Sequence, residues 1–234
     1  MLKHIVDRSD ICKKISVQTC SDSLTELLQT LLEQWKFEIC DTADAEVLLL
    51  AEEGCAVPVE GQQVLWLSRT KPEGRDRFSL PLELEHLWRV LEHRFHQPPR
   101  MHIRMNLEIN ASVTVGDETV STTLTSLSDM GGRFTYHREL VRDQPLVVSL
   151  HVSEQILEIN SQVIYAMPQP LATGSDIKVG IVFQRIEKDQ RAMLRYFLIF
   201  RYLEEVQKRM DRSRFAAALQ SLALPPYVRE KLIT

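Results

Sequence analysis

Arg100–Val115, RMHIRMNLEINASVTV, decides the fold. From Ile103 its apolar residues fall on every second position: Ile103, Met105, Leu107, Ile109, Ala111, Val113 and Val115. Successive side chains of a strand point to opposite faces, so a period of two without a break predicts one half-buried strand. Toward the C-terminus the same period predicts strands at Thr119–Leu127, Arg133–Tyr136, Leu146–Val152, Leu157–Met167 and Ile177–Gln184. Turn-prone segments separate them, among them Val115-Gly116-Asp117 and Ala172-Thr173-Gly174-Ser175. Six short, evenly spaced strands predict a six-stranded antiparallel β-barrel, since closure removes the edges an open sheet would expose.

Beyond the barrel, Glu187 to about Leu222 reads as a long C-terminal helix. Met193, Tyr196, Phe197, Phe200, Leu203, Val206 and Met210 form one stripe, and Leu194, Leu198, Ile199 and Tyr202 broaden it. A helix apolar around most of its circumference must be covered on more than one side. Either the rest of the chain covers it or it makes a homodimer contact.

Ahead of the barrel, Gln97-Pro98-Pro99 ends a helix and marks a domain boundary, because proline cannot continue a helix and restricts its neighbour. The expected domains are therefore 1–97, the barrel at 98–186, and a C-terminal helix and tail at 187–234. Within the first, strands are predicted at Lys14–Cys20, Phe37–Cys40, Glu46–Ala51, Val64–Ser68 and Phe78–Leu80. Helices are predicted at Asp22–Trp35, with Ser21 as N-cap and Leu24, Leu27, Leu28, Leu31 and Leu32 on one face, and from about Pro81 to Phe95. Strands alternating with helices predict a small parallel α/β sheet, and the uninterrupted apolar run EVLLLA suits a strand covered on both faces.

With 44% hydrophobic and 26% charged residues the chain is globular and not disordered. Residues 1–97 carry 11 basic and 17 acidic side chains and the remainder 17 and 15, so neither half has the basic excess of a nucleic-acid polymer binder. Any anion site must be local. The cysteines (Cys12, Cys20, Cys40, Cys55) form no CxxC pair and read as small buried hydrophobes in a reducing compartment. The charged opening residues do not read as a signal peptide and no apolar run reaches the ~20 residues of a membrane span. The expectation is a cytoplasmic protein.

Two features of the barrel half carry chemistry. Arg100 and Arg104 lie about 13 Å apart in an extended chain at ~3.3 Å per residue, on the face opposite the apolar set. Guanidinium forks match phosphate oxygens and the O6/N7 edge of guanine, and they stack on bases. Ser126-Leu127-Ser128-Asp129-Met130-Gly131-Gly132 reads as a turn between strands, with two hydroxyls and glycines that let backbone approach a ligand.

Together these segments resemble a PilZ domain, the bacterial cyclic di-GMP receptor module, whose signature is RxxxR followed by [DN]xSxxG. RMHIR supplies the first element and SLSDMG the second, with Ser126 standing where the family has Asp or Asn. Val179-Gly180-Ile181-Val182-Phe183 is similar to the strand that closes such barrels. The resemblance implies that Arg100 and Arg104 grip phosphates and guanines while Ser126, Ser128, Gly131 and Gly132 seat one guanine, with Arg133 as a further contact. A hydroxyl accepts more weakly than a carboxylate, so Ser126 implies weakened binding.

The N-terminal part, through Phe78–Leu87 and its βα order, resembles a two-component receiver domain that is truncated and degenerate. Leu80 stands for the phosphate-contacting lysine, EVLLLA ends without the phospho-accepting aspartate, and the acidic pair shrinks to Asp22. Phosphoryl transfer is not expected. His86, His93 and His96 with Glu92 share a helix but read as solvated or boundary residues and not a zinc site; Ser128, His137 and Asp143 lack the GxSxG elbow of a hydrolase. Trp35, Trp66 and Trp88 read as packing residues. The expected function is a cyclic di-GMP effector, with no catalytic residues, metal or cofactor, that signals to a protein partner through domain arrangement. The alternative is a PilZ-like scaffold that has lost its nucleotide.

Overall fold

The computed structural model describes residues 14–40, 46–70, 74, 76–152, 155–168 and 177–233. The chain divides into two compact units, residues 1–101 together with 200–234, and residues 102–199. The proline-based boundary at 97/98 and the division at 101/102 bracket the lead-in.

The first unit is built on a parallel sheet of β1 (Lys14–Gln18), β2 (Glu38–Ile39), β3 (Leu48–Glu52), β4 (Val64–Ser68) and β5 (Arg77–Ser79), in the order β2-β1-β3-β4-β5. This is the 2-1-3-4-5 order of flavodoxin-like sheets, with the strand order reversing between β1 and β3. Helix α1 (Asp22–Gln34) connects β1 to β2 and starts at Ser21, whose hydroxyl accepts from the Leu24 N–H as expected. Its five predicted leucines are all fully buried, each contributing ~1.5–3 kcal/mol by leaving water. Helix α2 (Leu84–Phe95) follows β5 and buries Leu84, Leu87, Trp88 and Leu91. Trp35 and Trp88 meet edge to face at 5.0 Å. Every residue of β3 is buried, as its continuous apolar run predicts.

Two expectations for this unit are corrected. Cys20 and Cys55 are joined in a disulfide, their Cα atoms 5.3 Å apart, and are not reduced buried residues. They lie 35 residues apart in sequence, but β1 and β3 are sheet neighbours, so the residues just past each strand meet. Cys40 is half-buried and outside the disulfide; Cys12 lies outside the described residues. His96 is not a boundary residue: it is 4% exposed and its Nε2 lies 3.6 Å from the buried Glu92 carboxylate.

The second unit is the barrel: β6 (Arg104–Met105), β7 (Ile109–Val115), β8 (Glu118–Ser128), β9 (Gly131–Tyr136), β10 (Pro145–Val152), β11 (Gln155–Pro168) and β12 (Ile177–Phe183). Six strands close antiparallel in the order β8-β7-β10-β11-β12-β9, with β9 returning to β8, and β6 pairs on β8. The predicted single strand from Ile103 to Val115 is therefore two pieces. Met105 pairs with Leu127 but Ile109 with Leu124, so one strand advances four residues against three and the ladder slips by one. The alternation survives the break: Met105, Leu107 and Ile109 pack against the core formed by Val113, Val148, Ile159, Val179 and Phe134. The Gly116 turn has φ +61, as a glycine permits; the turn expected at 172–175 lies outside the described residues.

The helix predicted from Glu187 to about Leu222 is two, α3 (Lys188–Gln207) and α4 (Arg212–Leu219), and the tail beyond it forms α5 (Pro226–Ile233). Asp211 breaks the predicted helix, since its carboxylate accepts from the N–H groups of Ser213 and Arg214 and starts α4 anew. Leu194 and Leu198 of α3 join the barrel core. In the first unit α4 sets Phe215 in the interior and pairs Arg214 with Glu26 of α1 at 2.7 Å. Leu82 exchanges backbone hydrogen bonds with Ser221 and Ala223, tying the C-terminal segment to the chain after β5. No helix among the described residues is long and apolar enough to cross a membrane.

Candidate ligand site

Residues directly opposite in an antiparallel pair share a face, so register alone locates the expected site residues. Leu124 faces Phe134 in the core, and strict alternation from Leu124 would send Ser126 and Ser128 inward too. A bulge prevents this. The β8–β9 register shifts between Leu124 and Ser126, so Thr125 is the extra residue and Leu127, not Ser126, is the next core side chain. Ser126 and Ser128 are thereby turned to the outer side of the sheet.

Two rows result. In the first, Arg104 of β6 pairs with Ser128 of β8, which pairs with Gly131 of β9. In the second, Ser126 pairs with Arg133, Arg133 with Gly180 of β12, and Gly180 with Tyr165 of β11. Neighbouring rows on one face lie ~7 Å apart, within reach of one nucleotide. The structure thus brings Arg104, Ser126, Ser128, Gly131 and Arg133 together. Gly132 pairs with Leu127 on the core side instead. Arg100 belongs to the other compact unit, where its backbone N–H donates to Glu92 Oε2 at 3.0 Å.

Only Asp129 and Met130 form the turn; Ser126–Ser128 and Gly131–Gly132 are strand residues, which corrects the reading of Ser126–Gly132 as one turn. The Ser128 hydroxyl donates to the Gly131 carbonyl at 3.1 Å and accepts from the Met130 N–H at 3.3 Å, so it holds the hairpin. Gly131 is required by the fold itself: a Cβ there would stand 2.2 Å from the Ile181 carbonyl oxygen where β9 meets β12. Arg133 Nε donates to the bulged Thr125 hydroxyl at 3.3 Å. The Ser126 hydroxyl is different. It is buried and makes no hydrogen bond among the described residues, which costs ~1–3 kcal/mol unless a guest or water satisfies it.

Two residues of this region, and one groove, escaped the sequence reading. Asp129, only 2% exposed, sits 2.9 Å from His102 Nδ1 and accepts from Arg195 Nη2 of α3 at 3.0 Å. A charged residue in a Ser- and Gly-rich turn reads as solvated, and nothing in spacing links it to an arginine 66 positions on. Tyr165 was read only as a strand residue; its ring lies over Gly180, where a Cβ would come within 2.2 Å of the ring. An open groove of about 650 Å³, lined by Asn110, Ser112, Ser121, Thr123, Ser149 and His151, contains none of the expected site residues.

No curated protein matches the sequence. Among solved structures, the PilZ domain of YcgR from Escherichia coli, described with c-di-GMP, is 14% identical over 47% of this chain and 95% of its own, with a TM-score of 0.40. The MrkH–c-di-GMP complex of K. pneumonia is 18% identical over 47% and 55%, TM-score 0.42. The Bacillus subtilis inhibitor of motility MotI/DgrA is 16% identical over 44% and 51%, TM-score 0.40. This chain spans about half the length of the last two. The PilZ domain family itself matches residues 98–200, the lead-in, the barrel and the first turns of α3. Those residues are a PilZ domain.

Proposed function

We propose that this chain is a cyclic di-GMP effector whose ligand binds on the outer face of β6, β8 and β9. The observation that carries the reading is the double row: a guanidinium beside the Ser128–Gly131 hairpin, and a second beside a buried hydroxyl with unused hydrogen-bonding capacity. Arg104 and Arg133 supply forks suited to phosphate oxygens or guanine O6/N7, and Tyr165 supplies a ring for stacking. Arg100 is proposed as the second lead-in contact. The lead-in joins the two compact units along the chain, so capture of ligand there would alter their arrangement, and a protein partner would read the change. The receiver-like N-terminal unit would then serve for contacts and not for phosphoryl transfer.

The test is calorimetric titration of the full chain with cyclic di-GMP. Arg104→Ala, at an exposed position, should weaken binding at least tenfold, about 1.4 kcal/mol, while the far-UV spectrum is retained. Unchanged affinity in that variant would remove the proposed site. A second reading, a PilZ scaffold without nucleotide, is favoured by Ser126 in place of Asp or Asn; absence of binding by the unaltered protein would select it.

A further inference from the structure

We propose that Cys20 and Cys55 form a site of reversible thiol–disulfide exchange, and that Glu52 sets its balance. The pair stands just past the C-terminal ends of β1 and β3, the neighbours between which the strand order reverses. In open α/β sheets this switch point is where ligands and chemistry collect. Both cysteines are exposed, so a small thiol can reach either sulfur. The carboxylate beside them is not a surface group. Glu52 is 1% exposed, and one of its oxygens lies within 4.8 Å of both sulfurs. It is fixed there by the Cys20 backbone N–H at 3.0 Å and by Arg69 Nε at 2.8 Å. Asp22 in the first turn of α1 and the Glu53–Arg77 pair are the other charged groups nearby in the sequence of these elements.

In the exchange a thiolate of a glutathione-type thiol attacks one sulfur, and the Cys20–Cys55 bond breaks. Its electron pair leaves on the other cysteine, which takes a proton from water. A second thiolate attacks the mixed disulfide, releasing the small-molecule disulfide and the second cysteine as a thiol. Two electrons pass from the small thiols to the protein pair, and the reverse sequence restores the bond. Above about pH 8.5 the reduced pair carries a thiolate; a neighbouring carboxylate disfavours that charge, so there Glu52 weights the pair toward the disulfide while Arg69 opposes it.

The experiment equilibrates the full chain, without denaturant or oxygen, in mixtures of reduced and oxidised glutathione, then quenches with acid and counts alkylated cysteines by mass. The expected result is a single two-electron transition of Cys20 and Cys55 within the attainable ratios, with Cys40 alkylated throughout and the far-UV spectrum constant. A pair that resists reduction until the protein is unfolded is purely structural, and one that stays reduced at the oxidising limit never forms the bond; either overturns the proposal. Zinc added to the reduced protein and retained at the pair against a chromophoric chelator would overturn it in favour of a metal site. At about pH 9, where the reduced pair carries a thiolate, Glu52→Gln should move half-reduction to a less reducing mixture by about threefold or more. Should that variant fail to fold, Arg69→Gln, on a side chain 66% exposed, should move it the opposite way. Half-reduction unmoved in the folded variant removes Glu52 from the proposal.

Discussion

Both units pair their buried acids, and they differ in where they leave a buried polar group unmatched. In the parallel α/β unit each buried carboxylate is matched where it stands: Glu52 with Arg69, Glu85 with Arg89, and Glu92 with His96 and the Arg100 N–H. Burying a charge is costly unless it is paired and hydrogen-bonded, so these contacts hold the sheet ends and α2 in place. On the barrel face the corresponding acid, Asp129, is taken up by His102 and Arg195. The neighbouring Ser126 hydroxyl is left with hydrogen-bonding capacity unused. Among the described residues the first unit leaves the indole N–H groups of Trp35 and Trp88 without a partner in its interior, whereas the unmatched Ser126 hydroxyl lies on the outer face of the barrel, in line with Arg133.

The contrast can be broken at several points. The largest effect is expected at Gly131→Ala, where the new methyl meets the Ile181 carbonyl of the closing strand. A loss of about 3 kcal/mol, seen as early unfolding of the barrel, follows from overpacking against backbone that cannot yield. All three tryptophans lie in the first unit, so their fluorescence should keep its transition if the units respond separately; a common shift would show that they do not. Leu28→Ala in α1 is the converse test. A fully buried leucine leaves a cavity, and about 3 kcal/mol should be lost from the tryptophan-reported transition in urea.

Asp129→Ala probes the charge cluster that Asp129 forms with His102 and Arg195. With Arg195 and His102 each about one-third exposed, solvent softens the loss to about 2 kcal/mol, measured by thermal denaturation. A neutral outcome would place the cluster's importance elsewhere than stability. Ser126→Asp sharpens the ligand side: a carboxylate accepting from guanine N–H groups should tighten cyclic di-GMP about tenfold, since hydrogen bonds to charged groups add ~1–2 kcal/mol over neutral ones. Weaker binding in a folded variant would mean that the Ser126 position does not face the ligand.

The smallest effect concerns pH. Burial pushes the Tyr202 phenol well above the usual tyrosine range, with the Arg100 charge working against the shift. The folded state therefore keeps a proton that the unfolded chain releases near its ordinary value of ~10, so stability is full below that pH and falls as pH rises above it. Urea midpoints between about pH 9 and 11 should fall, and Tyr202→Phe should flatten that slope.

Local rules made much of this legible in advance. The Ser21 cap and its leucine face, the apolar β3 strand, the barrel's period of two and the RxxxR and SxSxxG elements all depend on residues within a few positions of one another. What escaped depends on partners brought from afar. Asp211 restarts a helix whose apolar pattern continues through it, because the cap bonds outweigh the stripe there. Cys20 meets Cys55 only because β1 and β3 lie side by side.

By itself, the order of apolar and polar residues determined an α/β unit followed by a closed barrel and helices, while the resemblance to a PilZ signature singled out the arginines and serines. Only the tertiary structure decided which way those serines face. That choice rests on one extra residue, Thr125, whose bulge reverses the alternation of β8 just before Ser126. Periodicity cannot reveal such a slip, because a strand's phase is set by the strands it pairs with and not by its own side chains.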